Sequence, residues 1–483
     1  MTPTKIHLAA LILATALAST SFAEESKVKN AATDAAIGAA SSYTGKPKFS
    51  WTRSLPITYG DPAVGTFGGT ELRAIVPMQG GLYAANDYWQ DSAIADPALP
   101  GPQVYRLDSP NGKWQVDYEM PKTTIGRAGL RQYQAFSNLA KVVFTKDKSG
   151  ATISPAAELL VAGAFSRGTG IDVFVRSPSG RWSHDPIPPQ SYLPRGAQIR
   201  PFAVHTDAVT GAQMIFAGSG DVIFAGQYNS STESIEWNAT ADWIGPTPGK
   251  NNIQSHGGRI TSLAECAGKL YAAGNAIYER QDGSKPDWKS LFTLETGAPG
   301  RNWRGFSGLT CAKGPAGQPA LFSGFQGAST DVVRVDLDPG APKGVVELNV
   351  AAFLTAALGT EVATAIVGYN DMTVYPTADP ACPSLLTGFS ARTPNETATF
   401  GITHKYAGAG FLVRDCKGKY SVEWVSDPSI KPAPYLVAVR AISLSPFAEE
   451  PPGTIYAGGF DAGHPPPSGV HNTAWLYKGV PVR

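Results

Sequence analysis

Charge is scarce in this 483-residue chain. Asp, Glu, Lys and Arg make up 16% of it and nearly cancel, leaving a net +1. No Lys/Arg block occurs, which excludes a general nucleic-acid binder, since that function needs a basic face. Cysteine is limited to four residues with no CxxC, and no HxxxH spacing occurs, so the usual zinc arrangements are missing. Nucleophile-elbow, P-loop, HExxH and EF-hand motifs are absent as well, and no cofactor or metal is expected. Beyond the first residues no apolar run is long enough to span a membrane. Long helical periodicity is also lacking; only Val350–Leu358 reads as a short helix.

Turn formers are abundant instead, with 52 Gly and 39 Pro. That composition suits an all-β domain rich in turns. One short pattern recurs: two large apolar residues followed by small ones. It appears as Leu82-Tyr-Ala-Ala, Leu160-Val-Ala-Gly, Ile215-Phe-Ala-Gly and Leu270-Tyr-Ala-Ala. It returns as Leu321-Phe-Ser-Gly, Leu385-Leu-Thr-Gly and Ile455-Tyr-Ala-Gly. Small residues at the end of a strand suit close approach of another backbone. A matching first strand is expected upstream of each, at about 73–78, 134–139, 200–205, 259–264, 304–309, 370–375 and 440–445.

The other half of each unit reads as a hairpin. Val104-Tyr-Arg-Leu-Asp-Ser-Pro-Asn-Gly-Lys-Trp114 and Val173-Phe-Val-Arg-Ser-Pro-Ser-Gly-Arg-Trp182 are near copies, each with a Pro/Gly turn. Ile277-Tyr-Glu-Arg leading to Trp288, and Phe411-Leu-Val-Arg leading to Tyr420, are variants. Four antiparallel strands repeated about seven times resemble a seven-bladed β-propeller over residues 49–483. The hairpin turn is similar to those of kelch and Asp-box propellers, but Pro-Asn or Pro-Ser replaces the Asp expected before the Gly. Sialidase activity is therefore not carried over.

Residues 1–23 are expected to be a signal peptide, with Lys5, an apolar run and Ser21-Phe-Ala23. Residues 24–48, rich in Ala, Ser, Lys and Glu, read as a flexible linker. Residues 49–54 look like a lone strand, while the last unit has too little chain after Lys478 for a fourth. The N-terminal strand is thus expected to complete the last blade and close the ring, removing an open sheet edge. Export, to a periplasm or outside the cell, suits two disulfides. Cys266 and Cys311 each follow the Arg that opens their strand by the same spacing, in neighbouring blades, and Cys382 and Cys416 fall in two turns of one unit. The expected pairings are 266–311 and 382–416.

The residues that open the first strands are Arg73, Gln134, Arg200, Arg259, Arg304, Asn370 and Arg440. The propeller resemblance implies that these positions stand at one rim of the central channel. At about 10 Å and an effective dielectric of about 20, each Arg–Arg pair costs about 1.5 kcal/mol. A bound anion, gripped by guanidinium forks, relieves that repulsion. The competing reading is structural: such residues turn between blades and pair with carbonyls or a neighbour's carboxylate, and duplication preserves them. His256, Tyr369, His404, His464, His471, Asp87, Asp371 and Asp461 fall in loops expected on the same face. His184 and His205 fall elsewhere and suit structural roles, and Trp89, Trp303 and Trp475 suit packing between blades.

Three functions fit this pattern. The first is an exported, monomeric binding or scaffold protein for an anionic small molecule, acidic glycan or protein tail. The second is a carbohydrate-active enzyme. A polyuronate lyase needs a cation or amide on the carboxylate and a group that moves the α-proton, for which Arg304, Asn370, Tyr369 and His256 are candidates. A glycosidase needs a spaced carboxylate pair, and no pairing motif offers one. The third is a purely structural propeller.

Overall fold

The computed structural model describes residues 49–55, 69–88, 100–125, 130–168, 170–191, 198–245, 259–294, 305–327, 329–338, 342–369, 372–377, 379–394, 404–426, 436–460 and 474–482. The expected leader and linker lie outside them. One helix, Val350–Leu358, lies where the sequence places it. Asn349 caps it and Gly359 ends it in the left-handed conformation. The remaining regular structure there is almost wholly strand.

Strand pairing sorts these residues into antiparallel units of four. The first joins Glu71–Met78, Gly81–Asp87, Gln103–Leu107 and Gln115–Glu119. The second joins Tyr133–Lys146, Thr152–Ser166, Val173–Arg176 and Trp182–His184. The third joins Ile199–Thr206, Gln213–Ser219, Val222–Asn229 and Ser234–Trp237. The fourth contains Ser262–Cys266, Lys269–Ala273, Ile277–Gln281 and Asp287–Phe292. The fifth contains Gly305–Lys313, Pro319–Gln326, Thr330–Asp336 and Lys343–Asn349.

The sixth unit departs from the expected continuous strand at 370–375. Its inner strand is in two pieces, Thr364–Val367 and Thr373–Tyr375, both paired with Ser384–Pro394 and followed by Gly410–Arg414 and Tyr420–Trp424. Gly368 follows the first piece at φ +62°, which ends the extended run, and a Cβ on Gly308 of the fifth unit would come within 2.9 Å of its backbone. The seventh unit holds Val437–Leu444, Ile455–Phe460 and Trp475–Pro481. Its fourth strand comes from the other end of the chain: Phe49–Arg53 pairs antiparallel with Trp475–Pro481.

Buried apolar side chains fill the spaces between consecutive units. Phe136 and Phe174 of the second unit pack against Tyr83 and Val104 of the first. Leu72 and Leu82 of the first pack against Tyr456 and Leu476 of the seventh. The small residues of the recurring pattern make this contact close. A Cβ on Gly324 would lie 2.2 Å from the Val367 carbonyl oxygen, and one on Gly388 would lie 2.4 Å from that of Val439. Each second strand therefore gives space to the inner strand of the next unit. The chain is an all-β propeller built of four-stranded antiparallel sheets.

Both disulfides join the expected partners. Cys266–Cys311 links the fourth unit to the fifth, and Cys382–Cys416 ties two turns within the sixth. Cross-links of this kind are consistent with an oxidising compartment. No helix among the described residues is long and apolar enough to cross a membrane.

Candidate functional site

Four of the singled-out residues share a local geometry that the sequence does not announce. Arg73 falls where the register shifts between Leu72 and Ala74, and Gln134 where it shifts between Tyr133 and Ala135. Arg200 lies in the shift between Ile199 and Phe202, and Arg440 in that between Val439 and Ala441. Each lies at a register irregularity of an inner strand, the position of a β-bulge, a device that bends the strand and re-aims a side chain. Arg259 stands three residues before its inner strand, Ser262–Cys266.

Two of the bulged arginines, Arg73 and Arg440, meet at Glu71, which is fully buried. Arg73 Nη2 lies 2.9 Å from one Glu71 oxygen, and Arg440 Nε lies 2.6 Å from the other. Arg73 also pairs with Asp87, which stands directly across the sheet from Glu71 and is equally buried. The Arg440 guanidinium lies 3.3 Å over the centroid of the Tyr369 ring, a cation–π contact. Nearby, Arg259 donates to the Gln198 amide oxygen at 3.1 Å, and Arg167 donates to that of Gln134 at 3.2 Å. Gln198 and Arg167 were not singled out in the sequence, since neither opens a strand.

Protonation within the group divides it. Burial pushes the Glu71 carboxyl up, but Arg440, Arg73, a hydrogen bond with Asp87 and the Arg200 charge hold it below the ordinary value. Burial opposes the Arg73 charge, yet Asp87 and Glu71 raise it above the usual arginine range. Arg200 and Arg259 move the other way. Burial and the charges of Arg259, Arg73 and Arg440 push Arg200 well down, against a smaller opposite effect of Glu71. Burial and the Arg73 charge bring Arg259 to about 9. Both lie deep in the molecule but keep part of their surface open. Burial also raises the Tyr369 phenol, so it is poorly suited to act as a base.

The remaining candidates are dispersed. Asp87 is engaged as a counter-ion, which removes it from a hydrolytic pair. Arg304, Asn370, His256, Asp371, Asp461, His464 and His471 lie outside the described residues, as do Trp89 and Trp303. His404 lies in the strand His404–Tyr406, with its side chain outside the described set. His184 bonds Asp172, while buried His205 lies between Asp282 and Glu265. Trp475 is buried, and its indole donates to the Val437 carbonyl. These three contacts are structural. Among the described residues no group of His, Cys, Asp and Glu is arranged to hold a metal ion.

A second set of arginines, read in the sequence only as part of the hairpin repeat, does different work. Arg176 Nε and Trp182 Nε1 both donate to Asp117 of the preceding unit, at 3.0 and 2.8 Å. Arg280 and Trp288 grip Asp242 of the third unit in the same way, and Arg280 also binds Asp207 and Asp282. Arg414 and the Tyr420 hydroxyl grip Glu347 of the fifth. Each guanidinium also covers an aromatic ring on the preceding unit's second strand: Tyr83, Phe216 and Phe322. The hairpin repeat thus builds clamps from units two, four and six onto one, three and five.

No family model and no curated protein matches the chain. It is similar to solved β-propellers. The Dos1 propeller is 11% identical, covering 89% of this chain and 95% of that one, with a TM-score of 0.40. The NanB sialidase of Streptococcus pneumoniae is 12% identical over 89% and 71%, at 0.35. The six-bladed lectin of Aleuria aurantia is 13% identical over 57% and 78%, at 0.31. The likeness is one of fold alone.

Proposed function

We propose that the protein is an exported binding propeller that recognises an anionic ligand, such as an acidic glycan or another carboxylate, at the arginine cluster around Glu71. One observation carries this reading. Buried Glu71 contacts both Arg73 and Arg440, and the charges of Arg259, Arg73 and Arg440 act against that of Arg200. An unperturbed guanidinium keeps its proton far above neutral pH, and even Arg259, lowered to about 9, keeps it at neutral pH, so deprotonation is a costly escape from the crowding. Charge-assisted contact with a ligand anion is the less costly one.

The test is a thermal-shift screen of acidic oligosaccharides and polycarboxylates against the wild type and the Arg200→Ala/Arg259→Ala double variant. A ligand that raises the melting temperature of the first and not the second supports the site. Equal responses return these arginines to a structural role. Growth of unsaturated uronate absorbance during the screen would move the protein to the lyases, with Tyr369 and His256 the next residues to change.

A further inference from the structure

Three places in the chain read Asn-x-Ser/Thr: Asn229-Ser-Ser231, Asn238-Ala-Thr240 and Asn395-Glu-Thr397. In an exported chain such a triplet is an acceptor for an N-linked glycan, provided that the surface presents it. The fold treats the first two in opposite ways, and the third lies outside the described residues. Asn229 ends the third strand of the third unit, is paired with Ser234, and is buried. Its Nδ2 donates to Glu236 at 2.5 Å, and its Oδ1 accepts from the Ser231 N–H and Oγ at 3.0 and 2.7 Å. A glycan there would have to displace the Glu236 bond at a position closed to solvent.

Asn238 begins the irregular run 238–242 between Ser234–Trp237 and Trp243–Ile244, both of which pair with Val222–Asn229. Its backbone N–H is held by the Ala225 carbonyl at 2.9 Å, while Asn238, Ala239 and Thr240 are all exposed. Resting on the export part of the reading above, we propose that Asn238 is an N-glycosylation site of the protein and that Asn229 is not. The reaction joins Asn238 Nδ2 to the anomeric carbon of an oligosaccharide carried on a lipid diphosphate. The C–O bond to the diphosphate breaks, the lipid diphosphate leaves with that electron pair, and the amide gives one N–H proton to a base of the transferase.

Glu236, half-exposed, stands two residues before Asn238, whereas Gln227 and Thr393 hold that place at the other two triplets. Periplasmic transferases select for a carboxylate there, so Asn238 suits either kind of exported setting. Glu236 pairs with Lys148 at 2.7 Å, but an exposed ion pair of this kind is weak enough to open. The glycan would stand beside Ser234–Trp237, the last strand of its sheet in the described residues. A bulky polar group at the end of such a strand discourages pairing with another chain.

Secretion of the Asn395→Gln chain from yeast behind a yeast leader, followed by peptide-N-glycosidase F, tests the assignment with two acceptors left. The glycosidase should remove a single mobility step, which is absent from Asn238→Gln and from Thr240→Ala and persists in Asn229→Gln. Ser231→Ala takes the place of Asn229→Gln if that variant is not secreted. Coexpression in a bacterial periplasm with an oligosaccharyltransferase of that compartment should also modify Asn238. Glu236→Gln should lower occupancy several-fold there and leave it unchanged in yeast. A secreted chain without glycan, or one whose glycan follows Asn229, overturns the assignment. Modification in yeast but not in the periplasm keeps the site and overturns the role given to Glu236. Asn238→Gln should keep the wild-type thermal response to acidic ligands, so this site and the anion site fail separately.

Discussion

The clamp arginines and the arginines near Glu71 are the same side chain in opposite surroundings. At the clamps, guanidinium groups meet carboxylates from the neighbouring unit. Burial disfavours the Arg280 charge, but Asp242, Asp207 and Asp282 more than restore it, and Glu347 does the same for Arg414. Arg200 and Arg259, by contrast, are pushed down by burial and by other arginines. A buried charge with its counter-ions in place holds units together. A buried charge set among like charges is a liability for folding and an opportunity for a ligand. The chain carries both, and the recurrence of arginine along it does not by itself distinguish them.

The comparison breaks most severely at the junction of the seventh unit and the first. There Trp114, the counterpart of the clamp residues Trp182 and Trp288, donates to Ser54, just past the N-terminal strand. Deleting residues up to 55 removes that partner together with the strand Phe49–Arg53, and bares the edge of Trp475–Pro481. Loss of cooperative unfolding or aggregation is expected in urea titration. A truncated protein that melts like the intact one would show that closure contributes nothing.

Next in size is the clamp itself. Arg280→Ala leaves Asp207 and Asp242 buried without their cation, a change expected to cost about 3–5 kcal/mol in chemical denaturation. Arg414→Ala should cost less, because Arg334 also pairs with Glu347. A cost below about 1 kcal/mol for Arg280→Ala would deny the clamps their structural role.

Acid should weaken the clamps. Burial raises Glu347 and Asp282, but Arg414 with Tyr420, and Ala208 with His205 and Arg280, hold them below their ordinary values in the folded state. Carboxyls lowered on folding add stability above their unfolded pKa of about 4, and that stability is lost as pH falls through the folded values. Denaturation midpoints should therefore drop steeply below about pH 4. At the alkaline end the proposed anion site should weaken. Anion affinity should fall as pH rises past about 9, where Arg259 gives up its charge, and a bound anion should move that loss upward. A flat affinity from pH 7 to 10 would contradict the lowered Arg259.

Much of the fold is legible in the sequence because close packing restricts the choice of residue. The small residues at Gly324 and Gly388 mark strands that meet a neighbouring backbone, and the equal spacing to Cys266 and Cys311 reflects equivalent places in adjacent units. The split inner strand of the sixth unit is not legible in the sequence, because the break at Gly368 lies against Gly308 of the fifth unit. The clamps were legible only in half: Arg176 and Trp182 belong to the repeat, but Asp117, Asp242 and Glu347 sit in other units at no constant spacing. In the candidate site, the arginines were visible as strand openers. The bulges at which they sit, and the role of Asp87 as a counter-ion, follow from register and burial, which a single sequence does not display.

The central claim is that Arg200 is electrostatically opposed where Arg280 is supported. The most direct test is the unfolding free energy of Arg200→Gln at low ionic strength without ligand. Each like-charge pair at about 10 Å costs about 1.5 kcal/mol at a dielectric of about 20. The variant is therefore expected to be at least as stable as the wild type, and up to about 2 kcal/mol more so. That margin should shrink as salt screens the partly open charges. Destabilisation by more than about 1 kcal/mol, unaffected by salt, would contradict the account and make Arg200 one more clamp.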